Sequence, residues 1–160
     1  MKLRTYSVLL TLSIVLQFFP TTSPAQQPAD PPAASVPPQL LSARTIFISN
    51  ATGQGFAPAG VADLTYNEFY ADMKAWGKYE LVPRPGDADL ILEIRYFQLP
   101  VKSGIVEAFS VVIREPRTQT ILWSASEPIQ PYARASTERK NFDHALAAIV
   151  ASLKKITTST

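Results

Sequence analysis

Several stretches of the chain alternate apolar and polar positions, and two others repeat their apolar positions about every 3.6 residues. The first kind predicts strands and the second amphipathic helices. Arg44 to Asn50 alternates, with Ile46 and Ile48 on one face and Thr45, Phe47 and Ser49 on the other. Leu90 to Phe97 places Leu90, Leu92, Ile94 and Tyr96 opposite Glu93 and Arg95, and Pro100 with Ser103-Gly104 should end it. Ile105 to Arg114 carries Phe109, Val111 and Ile113 on one side, and Thr120 to Ser126 carries Ile121, Trp123 and Ala125. Between these two, Glu115-Pro116-Arg117-Thr118 has proline at the second place of a type I turn, so they form a hairpin. Tyr79 to Val82 is a further short strand, stopped by Pro83-Arg84-Pro85-Gly86.

Tyr66, Phe69, Tyr70, Met73 and Trp76 recur at helical spacing. Thr65 and Glu68 stand as a capping box at the start of this helix, and Gly77 stands where the helix end favours positive φ. In the last segment Phe142, Leu146, Ile149, Val150, Leu153 and Ile156 form one apolar stripe. Asn141 is the expected N-cap there, with Arg134, Arg139 and Lys140 before the helix and Lys154 and Lys155 at its negative end.

The element order is therefore β-α-β-β-β-β-α. A strand–helix–strand crossover joins parallel strands, and the later hairpins are antiparallel. The expected fold is α+β: two layers, a mixed five-stranded sheet with two main helices over one face. The other face should be half polar, with Glu93, Arg95, Ser110, Arg114, Ser124 and Ser126 on it.

The remaining segments bear on location rather than shape. Lys2 and Arg4, the apolar run Val8 to Phe19, and Ser23-Pro24-Ala25 follow the three-part pattern of a secretory signal peptide. The run is shorter than the roughly 20 apolar residues a membrane span needs and ends at Pro20. Residues 1–25 are expected to be removed, leaving Gln26 as the mature start and no stable membrane insertion. Residues 26–40 hold five prolines and read as a semi-rigid tether without helix or strand. Residues 41–157 would form the single domain, followed by a short tail at 158–160. Of 15 basic residues, Lys2 and Arg4 leave with the signal, so the exported chain has 13 basic against 13 acidic. That balance offers no electrostatic case for nucleic acid.

The chain contains no cysteine and one histidine. Disulfides, thiol catalysis and thiolate-held metals are excluded. His144 lies opposite the apolar stripe of the last helix and reads as a solvated residue. Asp87, Asp89 and Glu93 read as a turn and strand entry rather than a calcium loop, which needs more oxygen ligands at fixed spacing. Residues 52–60 sit where phosphate loops sit, but Pro58 and Val61 occupy the places of the third glycine and the lysine. No cofactor, metal or catalytic residue is expected. Asn50-Ala51-Thr52 matches a glycosylation sequon. The candidate ligand- or partner-binding residues are Trp76, Tyr79, Arg95, Arg114, Trp123 and Arg139. The three aromatics and the Gly53–Gly60 loop would make a platform for a glycan or small molecule, or else belong to the core.

Three segments carry a resemblance: Gly77-Lys78-Tyr79-Glu80-Leu81-Val82, Asp87-Ala88-Asp89-Leu90-Ile91-Leu92, and Val111 to Trp123. In this order they resemble the α/β domain shared by the TolB N-terminal region and the CsgG-like and penicillin-binding-protein-activator lipoproteins of bacterial envelopes. Small exported proteins of unknown function resemble it as closely. This chain departs from the group in lacking a lipobox cysteine and a β-propeller, in having Glu93 for a glycine, and in leaving no room for a helix between the second and third strands. The resemblance implies a periplasmic or secreted bacterial protein whose partner is another envelope protein. The expectation is a non-enzymatic accessory or protein-interaction module, with a small-molecule or glycan binding module as the alternative.

Overall fold

A computed structural model describes residues 36–53, 57–102, 104–131 and 135–158, which belong to one unit running from Ala34 to the C-terminus. The segment read as a signal peptide and most of the proline-rich stretch read as a tether lie outside the described residues. The elements in order are α1 (Pro38–Ser42), β1 (Thr45–Asn50), α2 (Val61–Trp76), β2 (Glu80–Leu81), a single 3-10 turn at Pro85–Asp87, β3 (Leu90–Val101), β4 (Gly104–Arg114), β5 (Ile121–Pro128) and α3 (Ala135–Thr158). The five strands form one mixed sheet in the order β2-β1-β3-β4-β5. β1 pairs in parallel with β2 and β3, and β3, β4 and β5 are successively antiparallel. The expected α+β architecture, with its mixed sheet and two main helices, is the architecture found.

The core lies between the sheet and α2 with α3. Ile46, Ile48, Leu90, Leu92, Ile94, Tyr96, Phe109, Val111 and Ile113 face Phe69, Met73, Phe142, Leu146, Ile149 and Leu153. Phe109 meets Phe142 edge-on at 4.8 Å between ring centroids, a favourable aromatic geometry. The alternation in the strands is what fills this layer, because residues opposite one another across a ladder share a face.

Several boundaries differ from the expectation, each for a local reason. The end of the tether is helical: α1 begins with Pro38, which tolerates the first helical position because the N–H it lacks would be unbonded there. Its Leu40 is fully buried, so the folded unit starts before residue 41. α2 begins one turn before the capping box. Thr65 is buried and its hydroxyl donates to the Val61 carbonyl at 2.8 Å, while Glu68 pairs with Arg139. Gly60 caps α2 at φ 81° without a side-chain bond. Asn50 steadies this entry instead: its Nδ2 donates to the Ala62 carbonyl at 3.1 Å, and its Oδ1 accepts from the Thr52 N–H at 3.0 Å. The other end of α2 is as expected, with Gly77 at φ 68° and its N–H donating to the Met73 carbonyl.

α3 begins at Ala135, so Asn141 lies inside it and donates to the Gln130 and Pro131 carbonyls rather than capping. β3 runs through Pro100 to Val101, which pairs with Gly104 at the start of β4. Proline is tolerated because β1 ends opposite Ile94 and leaves that side of β3 unpaired. An irregularity at Ile113/Arg114 pairs Ile113 with Trp123 and Arg114 with Ile121. The bulge therefore moves Ile121 off the face of Trp123, correcting the expected common face.

Candidate functional site

The residues singled out in the sequence fall at separate places. Trp76 and Tyr79 close the C-terminal corner of α2. Their rings meet edge-on at 5.4 Å, and Lys78 and Lys154 lie against the Trp76 ring at 6.0 and 5.7 Å. The Tyr79 hydroxyl donates to the Leu40 carbonyl at 3.2 Å, and Lys78 Nζ donates to the Thr157 carbonyl at 2.8 Å. Tyr79 is 8% exposed, and burial raises its phenol pKa above the ordinary value. This corner clasps α1, α2 and the end of α3 together, and Tyr79 is a core residue.

Trp123 lies on β5, the opposite edge of the sheet from β2, four strand spacings or about 19 Å away. It faces the core layer and packs against it, half-buried. The aromatic platform is thus not assembled: Trp76 with Tyr79 and Trp123 stand at opposite sides. Of the Gly53–Gly60 loop, residues 54–56 lie outside the described residues, as does Arg134.

The arginines share out differently. Arg114 donates through Nε to Glu93 at 2.8 Å, diagonally across β3 and β4, and through Nη1 to the Gln119 carbonyl at 3.2 Å. Arg139, inside α3, joins Glu68 at 2.6 Å and Asp143 at 2.8 Å, bridging the two main helices. Both are committed to internal pairs. Arg95 is exposed and lies over the Phe97 ring at 5.0 Å.

The acidic residues near β3 serve as ties. Asp89 Oδ2 accepts from the N–H groups of Arg44 at 2.8 Å and Thr45 at 3.0 Å, and these bonds hold its carboxyl below the usual carboxylate range. Asp87 pairs with Arg84 at 2.7 Å. With Glu115, Arg117 and Gln119 they line an open groove of about 640 Å³. The Thr118 side chain and its N–H, the latter at 2.6 Å, both bond the Glu115 carboxylate and likewise lower its pKa. Among the described residues no cluster of three or more His, Asp or Glu side chains is placed to hold a metal ion. His144 is exposed on α3, opposite the buried stripe.

The sheet face away from the helices is partly closed by its own side chains. Ile91, Ala108 and Ser110 are buried beneath the Glu93–Arg114 pair and the Arg95–Phe97 stack. Its continuation is the feature the sequence reading missed. β1 stops pairing at Ile94 and β5 at Ala108, with one further bond from the Ile129 N–H to the Glu107 carbonyl at 2.8 Å, so residues 98–101 of β3 and 104–106 of β4 project as a two-stranded arm. Leu99 is 50%, Val101 44% and Ile105 65% exposed on this arm. Shallow grooves of about 390 and 410 Å³ flank it, one lined by Arg95, Phe97 and Leu99, the other by Ile105, Val106, Pro128 and Ile129. The signal was in the sequence: Leu99, Val101 and Ile105 crowd around a turn, where polar residues are usual. Among the described residues no helix is long and apolar enough to cross a membrane.

No protein-family model matches the sequence, and no curated protein matches it. Solved structures do share the fold. A PelC variant from Paraburkholderia phytofirmans, solved as a dodecamer, superposes with a TM-score of 0.51 at 13% identity over 69% of this chain and 86% of that one. A DUF330 protein from Xanthomonas campestris gives 0.50 at 10% identity over 69% and 81%. A lipoprotein from Neisseria meningitidis gives 0.40 at 14% identity over 68% and 99%. At these identities the likeness of PelC and the DUF330 protein to this chain is one of fold alone.

Proposed function

We propose that the chain is an exported, non-enzymatic accessory domain of the bacterial envelope that recognises another protein through the β3–β4 arm. The carrying observation is where exposed apolar surface gathers. Among the described residues the large apolar side chains left most exposed are Leu41, Tyr70, Leu99, Val101, Ile105 and Ile121, and half of them stand on the arm. Scattered exposed apolar residues are ordinary, but a cluster on a projecting element favours an interaction site. The arm also offers backbone groups on both flanks, which suits strand addition by a partner.

The proposal of export rests on the signal-peptide pattern of residues 1–25, and the finer kinship with TolB N-terminal and CsgG-like domains on the short motifs that carry it. The non-enzymatic reading is supported by how the polar side chains are used. Asp89, Glu93, Arg114 and Arg139 each hold a neighbouring element, and Asp87 holds Arg84 at the head of its own 3-10 turn. PelC, which is similar in fold, was solved as a dodecamer, so a fold of this kind can build protein–protein contacts.

The test is capture from envelope extract by the exported chain and by a Leu99→Ser/Ile105→Ser variant. The expected result is a protein retained by the first and lost by the second, with both folded by circular dichroism. Retention of nothing specific by either, or of the same protein equally by both, would count against the arm.

A further inference from the structure

We propose that β5 is a dimerisation edge, along which a second copy of this chain pairs antiparallel so that one sheet continues through both. β5 is the outermost strand on its side, and no described element lies beyond it. Free edges attract other strands, and folded proteins commonly blunt them with charge, proline, bulges or short length. From Ile121 through Ser126, β5 reads Ile-Leu-Trp-Ser-Ala-Ser, with no charge and no proline, and Glu127 and Pro128 come only at its end. The opposite edge, β2, is two residues long and gives almost nothing to pair with. Of the two outermost strands, β2 is too short to template a partner and β5 is open. Pairing between copies through β5 alone closes as a two-fold dimer instead of extending into a fibre.

Side chains and charge favour a second copy as the occupant. Trp123 faces the core layer yet stays half-buried, because β5 has no neighbour to cover its outer flank. Ile121, turned to the other face by the bulge, is 53% exposed. A two-fold axis through Ser124 sets Ser124 against itself and Trp123 against Ala125 of the other copy. Large meets small on the core side at both symmetric positions, the kind of cross-strand match that stabilises a ladder. The exported chain carries 13 basic and 13 acidic residues, so no net charge opposes self-association. This surface lies apart from the exposed apolar residues of the arm, and the inference does not rest on the partner-binding reading.

Sedimentation equilibrium of the chain purified after export tests it. Wild type is expected at twice the chain mass in the micromolar range. Ser124 is exposed, and Ser124→Lys places two ammonium groups against each other at the axis, so dimer affinity should fall by more than about tenfold with circular dichroism unchanged. Ser124→Glu should do the same, and an equimolar mixture of the two variants should restore the dimer. Because the chain has no cysteine, Ser124→Cys introduces a single thiol. It should oxidise to a cross-linked dimer, whereas Glu80→Cys in β2 should not. A wild type that stays monomeric at several hundred micromolar overturns the inference, and so do Lys variants that remain dimeric or equal cross-linking at both positions. A monomer that still captured an envelope protein through the arm would sink this inference and leave the other standing.

Discussion

Asp89 shows how a single side chain sets the start of a strand. Its carboxylate accepts two main-chain N–H groups at the head of β1, and its own N–H donates to Thr45 Oγ1 at 3.0 Å. The tie locks β1 against the entry to β3, 44 residues later in the chain. Its folded pKa is lowered by these bonds, so the stabilisation is fully present above the ordinary carboxylate pKa and is lost as pH falls through the folded value. Asp89→Asn should cost about 1 kcal/mol at pH 7, a figure kept small because the group is solvent-screened. Urea denaturation across pH should show the gap between wild type and variant closing below about pH 4. A gap independent of pH would mean that shape, and not charge, holds the tie. In sequence, Asp87 and Asp89 were legible as turn and strand-entry residues, but the N–H groups that Asp89 binds come from the head of another strand. The same holds for Glu68: Thr65-x-x-Glu68 fits a local cap, and only the packing of α3 supplies Arg139 as the stronger partner.

At the level of elements, apolar periodicity located the interiors and missed the polar ends. Residues 136–140 of α3 are all polar, so no stripe announces them, and the helix is drawn out instead by Arg139 reaching both Glu68 and Asp143. α1 was hidden for the opposite reason, because its prolines argued for an extended tether. Its contribution can be measured. Leu40 is fully buried against the core and Tyr79 bonds its carbonyl. Leu40→Ala should therefore cost about 2–4 kcal/mol in urea denaturation. A chain beginning at Val36 should unfold like one beginning at Gln26, while one beginning at Arg44 should be markedly less stable. Equal stability of all three would remove α1 from the core. Gly77 is a milder case: at φ 68° a Cβ meets no neighbouring atom, so Gly77→Ala should cost only the left-handed backbone penalty, about 1 kcal/mol.

For the whole molecule, the mixture of parallel and antiparallel strands was legible because a strand–helix–strand unit joins parallel strands and hairpins join antiparallel ones. Neither the second crossover, which returns β3 parallel to β1 on the side away from β2, nor the extent of the sheet was legible. Strand length depends on which neighbours a strand has, and that is decided by where β1 and β5 stop, not by β3 and β4 themselves. The result is a sheet of uneven stability, which hydrogen exchange should map. Leu90 to Ile94 are flanked by β1 and β4 and covered by the helices, so their amides open only with global unfolding. Among the described residues, the backbones of residues 98–101 and 104–106 pair only within this hairpin, and an isolated hairpin is marginal in water. Their amides should exchange by local opening, orders of magnitude faster than those of Leu90 to Ile94, at low protein concentration. Raising the concentration should slow exchange in β5 if two copies pair there, and leave the arm unchanged. Adding the captured envelope partner should slow the arm and leave β5 unchanged. Equal protection of the arm and the central strands in dilute solution would show that something already covers the arm, and would relocate the open surface of this protein.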